Sequence, residues 1–88
     1  MTFLIEYDKQ PVSFLKKSDK HICKRLMDKI EATLTENQVP HKAVSIIGEH
    51  NVFRIRIGDY RAIYRINYQE NKIVIFHLDK RSKVYDQI

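Results

Sequence analysis

The 88-residue chain is short of several features that common functions require. It has a single cysteine, Cys23, so no internal disulfide can form and a reducing compartment suits it. Two glycines and two prolines point to mostly regular structure. There is no Gly-rich phosphate loop, no nucleophile elbow and no carboxylate pair that fits a hydrolase scheme. No run approaches the roughly 18–20 apolar residues of a membrane span. The opening MTFLIEYDK lacks the basic region and long apolar stretch of a signal peptide, so a cytoplasmic location is expected. The four histidines (His21, His41, His50, His77) make no metal-ligand spacing with one another, with Cys23 or with a carboxylate, so no cofactor is expected.

What is present is charge. The formal net charge is +5, unevenly spread. Residues 1–40 hold seven Lys/Arg against six Asp/Glu, and residues 41–88 hold nine against five. The basic excess belongs to the second half and points to a polyanionic partner. At 43% hydrophobic and 31% charged residues, the composition is that of a soluble globular fold. A chain of this length buries roughly 60–65% of its unfolded surface, enough for one modest core and a single domain, residues 1–88.

Taken in order, Thr2 to Tyr7 alternates as a first strand, with Phe3, Ile5 and Tyr7 on one side. Asp8 can cap a brief helix carrying Pro11, Val12, Phe14 and Leu15. Ser18 or Asp19 can cap a longer one, whose stripe of Ile22, Leu26, Ile30 and Leu34, flanked by Cys23 and Met27, predicts four to five amphipathic turns. Cys23 beside that stripe reads as inert core. Asn37 and Pro40 stop the helix. Val44, Ile46 and Ile47 form a short strand or a packed loop. VFRIRI and YRAIYRIN, joined at Gly58-Asp59, form a hairpin over about 52–57 and 60–67. A turn at Gln69-Glu70-Asn71 leads to KIVIFHL (72–78), a continuous apolar run expected of a strand buried on both faces. The tail from Asp79 to Ile88 reads as a short terminal helix. The order β-α-α-β-β-β implies an α+β fold with a helical hairpin on one face of a mainly antiparallel sheet and the other face open.

That open face is where chemistry gathers. Alternation aims Arg54, Arg56, Arg61 and Arg65 the same way, four guanidinium groups against one nearby acid, Asp59 at the turn. Arginine binds phosphate bidentately, so the face reads as a phosphate-binding platform as well as an ordinary solvated surface. Arg81 and Tyr85 share a face if the tail is helical. Tyr85 there either stacks on a base and moves a proton, or anchors the tail to the core. His77, at the end of the last strand, is placed for acid–base work near neutral pH.

The hairpin Phe53-Arg54-Ile55-Arg56-Ile57-Gly58-Asp59-Tyr60-Arg61-Ala62-Ile63-Tyr64 and the ending Lys80-Arg81-Ser82-Lys83-Val84-Tyr85, together with the element order, resemble the RelE/ParE toxin superfamily, with the RelE branch nearest. The resemblance spans essentially the whole chain. It implies a type II toxin–antitoxin toxin that cuts mRNA in the ribosomal A site without metal: the 2′-hydroxyl attacks its neighbouring phosphate, leaving a 2′,3′-cyclic phosphate and a 5′-hydroxyl. It implies that Arg61 and Arg81 stabilise the developing charge, that Arg54 and Arg56 hold the RNA backbone, with Arg65, Lys80 and Lys83 as further RNA-binding positions, and that Tyr85 stacks on or activates the nucleotide. It also implies a RelB-like antitoxin, acidic and partly disordered, in a hetero-oligomer with this chain. Three positions depart from the pattern. Positions 54 and 56 are often lysine in the RelE branch, whereas arginine does not readily release its proton (pKa above roughly 12). Position 80, often histidine, is lysine. The base is then Tyr85, His77 or hydroxide. A ParE-like gyrase inhibitor and a non-catalytic RNA-binding module are the competing functions.

Overall fold

The computed structural model describes residues 2–80. Strand β1 (Leu4–Tyr7) leads into helix α1 (Lys9–Lys17) and helix α2 (Lys20–Leu34), and strands β2 (Val44–Ser45), β3 (Val52–Ile57), β4 (Tyr60–Asn67) and β5 (Lys72–Lys80) follow. Local chemistry sets the helix ends. The Asp8 carboxylate accepts from the Lys9 N–H at 2.8 Å and starts α1, while Lys16 and Lys17 lie at its C-terminal end, where cations suit the helix dipole. Of the two candidate caps for α2, Asp19 is the one used, accepting from His21 N–H at 2.8 Å; Ser18 closes α1 instead. Helix α2 ends at Leu34, ahead of Asn37 and Pro40, with the Thr35 hydroxyl donating back to Glu31 O.

The five strands form one sheet in the order β1-β5-β4-β3-β2. All neighbours are antiparallel except β1 and β5, which the helical crossover makes parallel. The two-residue turn between β3 and β4 needs a left-handed residue, and Gly58 supplies it at φ 59°. Both helices cover one face. Leu15, Leu26, Ile30 and Leu34 pack there on Ile55, Ile57, Ala62, Tyr64, Ile66, Ile73, Ile75 and Leu78, a core with no buried charge among the described residues. Tyr64 is fully buried, and its hydroxyl donates to Gln38 O at 2.7 Å, tying the sheet to the chain beyond α2. Burial pushes the Tyr64 hydroxyl pKa far above its ordinary value; burial and the neighbouring Glu31 carboxylate do the same at Tyr7. Cys23 is half-buried against this core, its thiol 3.9 Å from Met27 Sδ.

Two expectations need correcting. Strand β5 is sealed on one face only. Ile73, Ile75 and Leu78 are buried under the helices, while Val74, Phe76 and His77 stay half-exposed on the open side. The last strand also runs further than its apolar letters, taking in Asp79 and Lys80, which were expected in the tail. The terminal helix expected beyond them lies outside the described residues. Val44 and Ser45 form a short edge strand, and Ile46 and Ile47 fall in the loop after it. No helix among the described residues is long and apolar enough to cross a membrane.

Candidate nucleic-acid interface

Register decides what meets on the open face. Arg56 lies directly opposite Arg61, Arg54 opposite Ile63 and Val52 opposite Arg65, so all four arginines project from the same side of the hairpin. Two like charges directly opposed in a sheet repel. The strand on the other side of β4 answers this, because β5 places Asp79 opposite Arg61 and His77 opposite Ile63. The row across three strands therefore reads Arg56, Arg61, Asp79.

This row depends on an irregularity. Ile63 pairs with His77, but Tyr64 pairs with Ile75, so Phe76 is an extra residue in β5. The bulge turns Phe76 and His77 towards the same open side while keeping both Ile75 and Leu78 under the helices. Phe76 lies beneath Arg65, whose guanidinium carbon is 5.7 Å from the ring centroid.

The arginines are not equivalent. Arg61 and Asp79 form an ion pair at 3.2 Å, each with a side chain only 21% exposed, and the same Asp79 Oδ2 is 2.8 Å from His77 Nε2. Arg61 Nε and Asp79 Oδ1 are buried and have no partner among the described residues. Arg65 pairs with Glu49 at 3.2 Å in a far more exposed setting. Arg54 and Arg56 are exposed, and neither takes part in an ion pair among the described residues. At the far end of the face Lys72 is held by Glu6 at 3.3 Å and Glu70 at 3.4 Å, contacts that raise its pKa, Glu6 first.

The site residues named from the sequence thus divide. Arg54, Arg56, Arg61, Arg65 and His77 come together on one surface. Lys80 does not join them: it lies opposite Tyr60, and strand alternation turns it to the helix side. Arg81, Lys83 and Tyr85 lie outside the described residues. The acids Glu49 and Asp79 were missed as partners, since only Asp59 was counted against the arginines. Their signal was in part available, because His77 and Asp79 are two apart on a strand and must share a face. Among the described residues no group of three or more His, Cys, Asp and Glu side chains gathers to hold a metal. Chemically, the surface offers two unpaired guanidinium groups for a phosphate backbone, one held guanidinium, and an imidazole braced by a carboxylate.

The profile of the family described as the ParE toxin of type II toxin–antitoxin systems, parDE, matches residues 5–85. No curated protein matches the chain. Among solved structures it resembles a chain of the toxin–antitoxin complex RelBE2 from Mycobacterium tuberculosis, with a TM-score of 0.79 and 21% identity over 92% of this chain and 100% of that one. It also resembles a chain of the archaeal RelE–RelB complex from Pyrococcus horikoshii, with a TM-score of 0.73 and 28% identity over 94% and 99%. For the RelB–RelE antitoxin–toxin complex from Methanococcus jannaschii the TM-score is 0.65 and the identity 30%, over 94% and 98%. The chain belongs to the ParE toxin family of type II toxin–antitoxin systems, within the RelE/ParE superfamily, and its structural neighbours are RelE proteins.

Proposed function

We propose that this toxin is a ribosome-dependent, metal-independent endoribonuclease that cuts mRNA in the A site and so stops translation, with residues 1–88 acting as one RelE-like domain in the cytoplasm. The observation that carries the reading is the open sheet face, where exposed Arg54 and Arg56 lie beside a half-buried Arg61 held by Asp79. The exposed pair suits the substrate backbone, with Lys83 as a further contact. Arg61 suits the phosphorane, whose added charge needs a guanidinium already in place. Arg81 supplies a second charge to that centre and Tyr85 stacks on the reacting nucleotide; Tyr85, His77 or hydroxide takes the 2′-hydroxyl proton. The solved RelE–RelB complexes support a cognate RelB-like antitoxin as partner in a hetero-oligomer; the cationic charge of this face suits an acidic, partly disordered antitoxin segment that neutralises it or displaces the tail.

Induced expression followed by primer extension on a translated message tests this. New cuts in translated regions, absent when the same message is left untranslated, are expected. An intact message in growth-arrested cells would sink the reading. The family match to ParE toxins favours one alternative, inhibition of DNA gyrase without RNA cleavage. A DNA-damage response on induction, with loss of supercoiling by purified gyrase, is its signature.

A further inference from the structure

The proposed nuclease has charge in plenty and no assigned base. Lysine at 54 or 56 would have offered one, but both positions are arginine. The open face holds a different proton acceptor. His77 Nε2 is 2.8 Å from Asp79 Oδ2, and a carboxylate can only accept, so the ring proton of the neutral imidazole lies on Nε2 and the lone pair on Nδ1. The same Oδ2 accepts from Arg61 Nη2 at 3.2 Å. One carboxylate oxygen thus holds both the arginine suited to the reacting phosphate and the histidine beside it.

The backbone between His77 and Asp79 is clamped as well. Strand β1 ends at Tyr7, paired with Ile75, and leaves the last part of β5 without a strand neighbour on that side among the described residues. Gln10, in the first turn of α1, takes the place of a strand there. Its amide nitrogen donates to Leu78 O at 2.9 Å, and Leu78 N–H donates to its amide oxygen at 2.8 Å. Leu78 is the residue between His77 and Asp79, and its own side chain is fully buried. A geometry held from three directions is what proton transfer at a defined atom requires.

Resting on the nuclease reading, we infer that His77 is the general base, acting through Nδ1, and that Asp79 is the positioning residue that sets its tautomer. In the step, the 2′-oxygen forms its bond to phosphorus as the bond from phosphorus to the 5′-oxygen breaks. The 2′-hydroxyl proton passes to His77 Nδ1, and the departing 5′-oxygen takes a proton from water, leaving a hydroxide that the His77 proton neutralises at turnover. Asp79 then faces an imidazolium, which it stabilises. The charged groups facing His77 are Asp79 on its own strand, Arg61 and Arg65 on β4, Arg54 in the same cross-strand row, and Glu6 on β1 further along the face.

Single-turnover cleavage on programmed ribosomes across pH, with His77→Gln, Asp79→Asn and Gln10→Ala, tests the inference. His77→Gln is expected to slow cleavage by about 10²–10⁴-fold and to remove the rise of rate with pH that a general base imposes. Asp79→Asn is expected to slow it at least about tenfold and to move the pH profile, because an amide can hold the wrong tautomer. Gln10→Ala lowers the rate while leaving the profile in place. Ring-nitrogen NMR of His77 reads the same geometry without activity: the proton sits on Nε2 in the wild type and loses that preference in Asp79→Asn. A wild-type protein that cuts, beside a His77→Gln variant that cuts equally fast with the same pH profile, overturns this inference and leaves the nuclease reading intact. A wild-type protein that cuts nothing overturns both. A His77 ring protonated on Nδ1 overturns the role given to Asp79.

Discussion

The two faces of the sheet are made by the same strands and do opposite work. In β3, Ile55 and Ile57 are buried beneath the helices while Arg54 and Arg56, one residue away each, are exposed. Among the described residues the covered face has no buried charge and one fully buried aromatic with a polar tip, Tyr64. Among the described residues the open face carries four arginines, a histidine, one buried valine (Val52, opposite Arg65) and otherwise partly buried apolar groups. Stability and activity should therefore separate by face, with the Arg61–Asp79 pair as the open-face side chains that touch both.

The largest stability loss should come from the covered face. Tyr64→Ala removes a fully buried ring and should destabilise by about 3–5 kcal/mol, measured by urea unfolding. Tyr64→Phe keeps the ring but leaves Gln38 O without its donor, a loss of about 1–3 kcal/mol. The same tyrosine gives a pH signature. Its folded pKa is raised, so above the unfolded value of about 10 the folded state holds a proton that the unfolded chain has released. The contribution is whole below that pH and is lost as pH rises further, so alkaline unfolding should set in above about pH 10 and Tyr64→Phe should shrink its Tyr64 component.

On the open face the largest effect should be chemical. Arg61→Ala should slow cleavage by about 10²–10³-fold, the usual cost of one preorganised charge donor. It should also destabilise measurably, since Asp79 is left partly buried without its cation. The double variant Arg54→Ala/Arg56→Ala should fold normally and bind RNA less tightly, its log–log salt slope falling by about 1.4 if each arginine meets one phosphate of a single strand. Glu49→Ala should be the mildest, below about 1 kcal/mol, because its pair with Arg65 is more than half exposed. A destabilised Arg54→Ala/Arg56→Ala variant, or a Tyr64→Phe variant that folds as firmly as the wild type, would break the division between the faces.

Much of this division was legible in the letters. Alternation through VFRIRIGDYRAIYRI separates Ile55 and Ile57 from the arginines without any knowledge of the partner strands. The stripe of Leu26, Ile30 and Leu34 likewise states which side α2 buries. What stayed hidden was whatever needed two distant segments at once. Asp79 is 18 residues from Arg61 and Gln10 is 68 from Leu78, and their meeting depends on a register that alternation inside one strand cannot reveal. Strand β5 misled for a related reason. Its run of apolar letters hides a change of phase at Phe76, so a strand with one sealed face looked like one with two.

The extra residue at Phe76 bears on how such a chain can change in length. Ile73 and Ile75 before it, and Leu78 after it, all point under the helices, and His77 and Asp79 keep to the arginine side. Excising Phe76 would leave the strand alternating without interruption from Lys72 to Lys80, with every inward and outward assignment preserved. The surplus is taken up locally, at a position that owes nothing to either ladder. Here a single-codon deletion, ruinous elsewhere in a sheet because it inverts everything downstream, would change only what lies beneath Arg65.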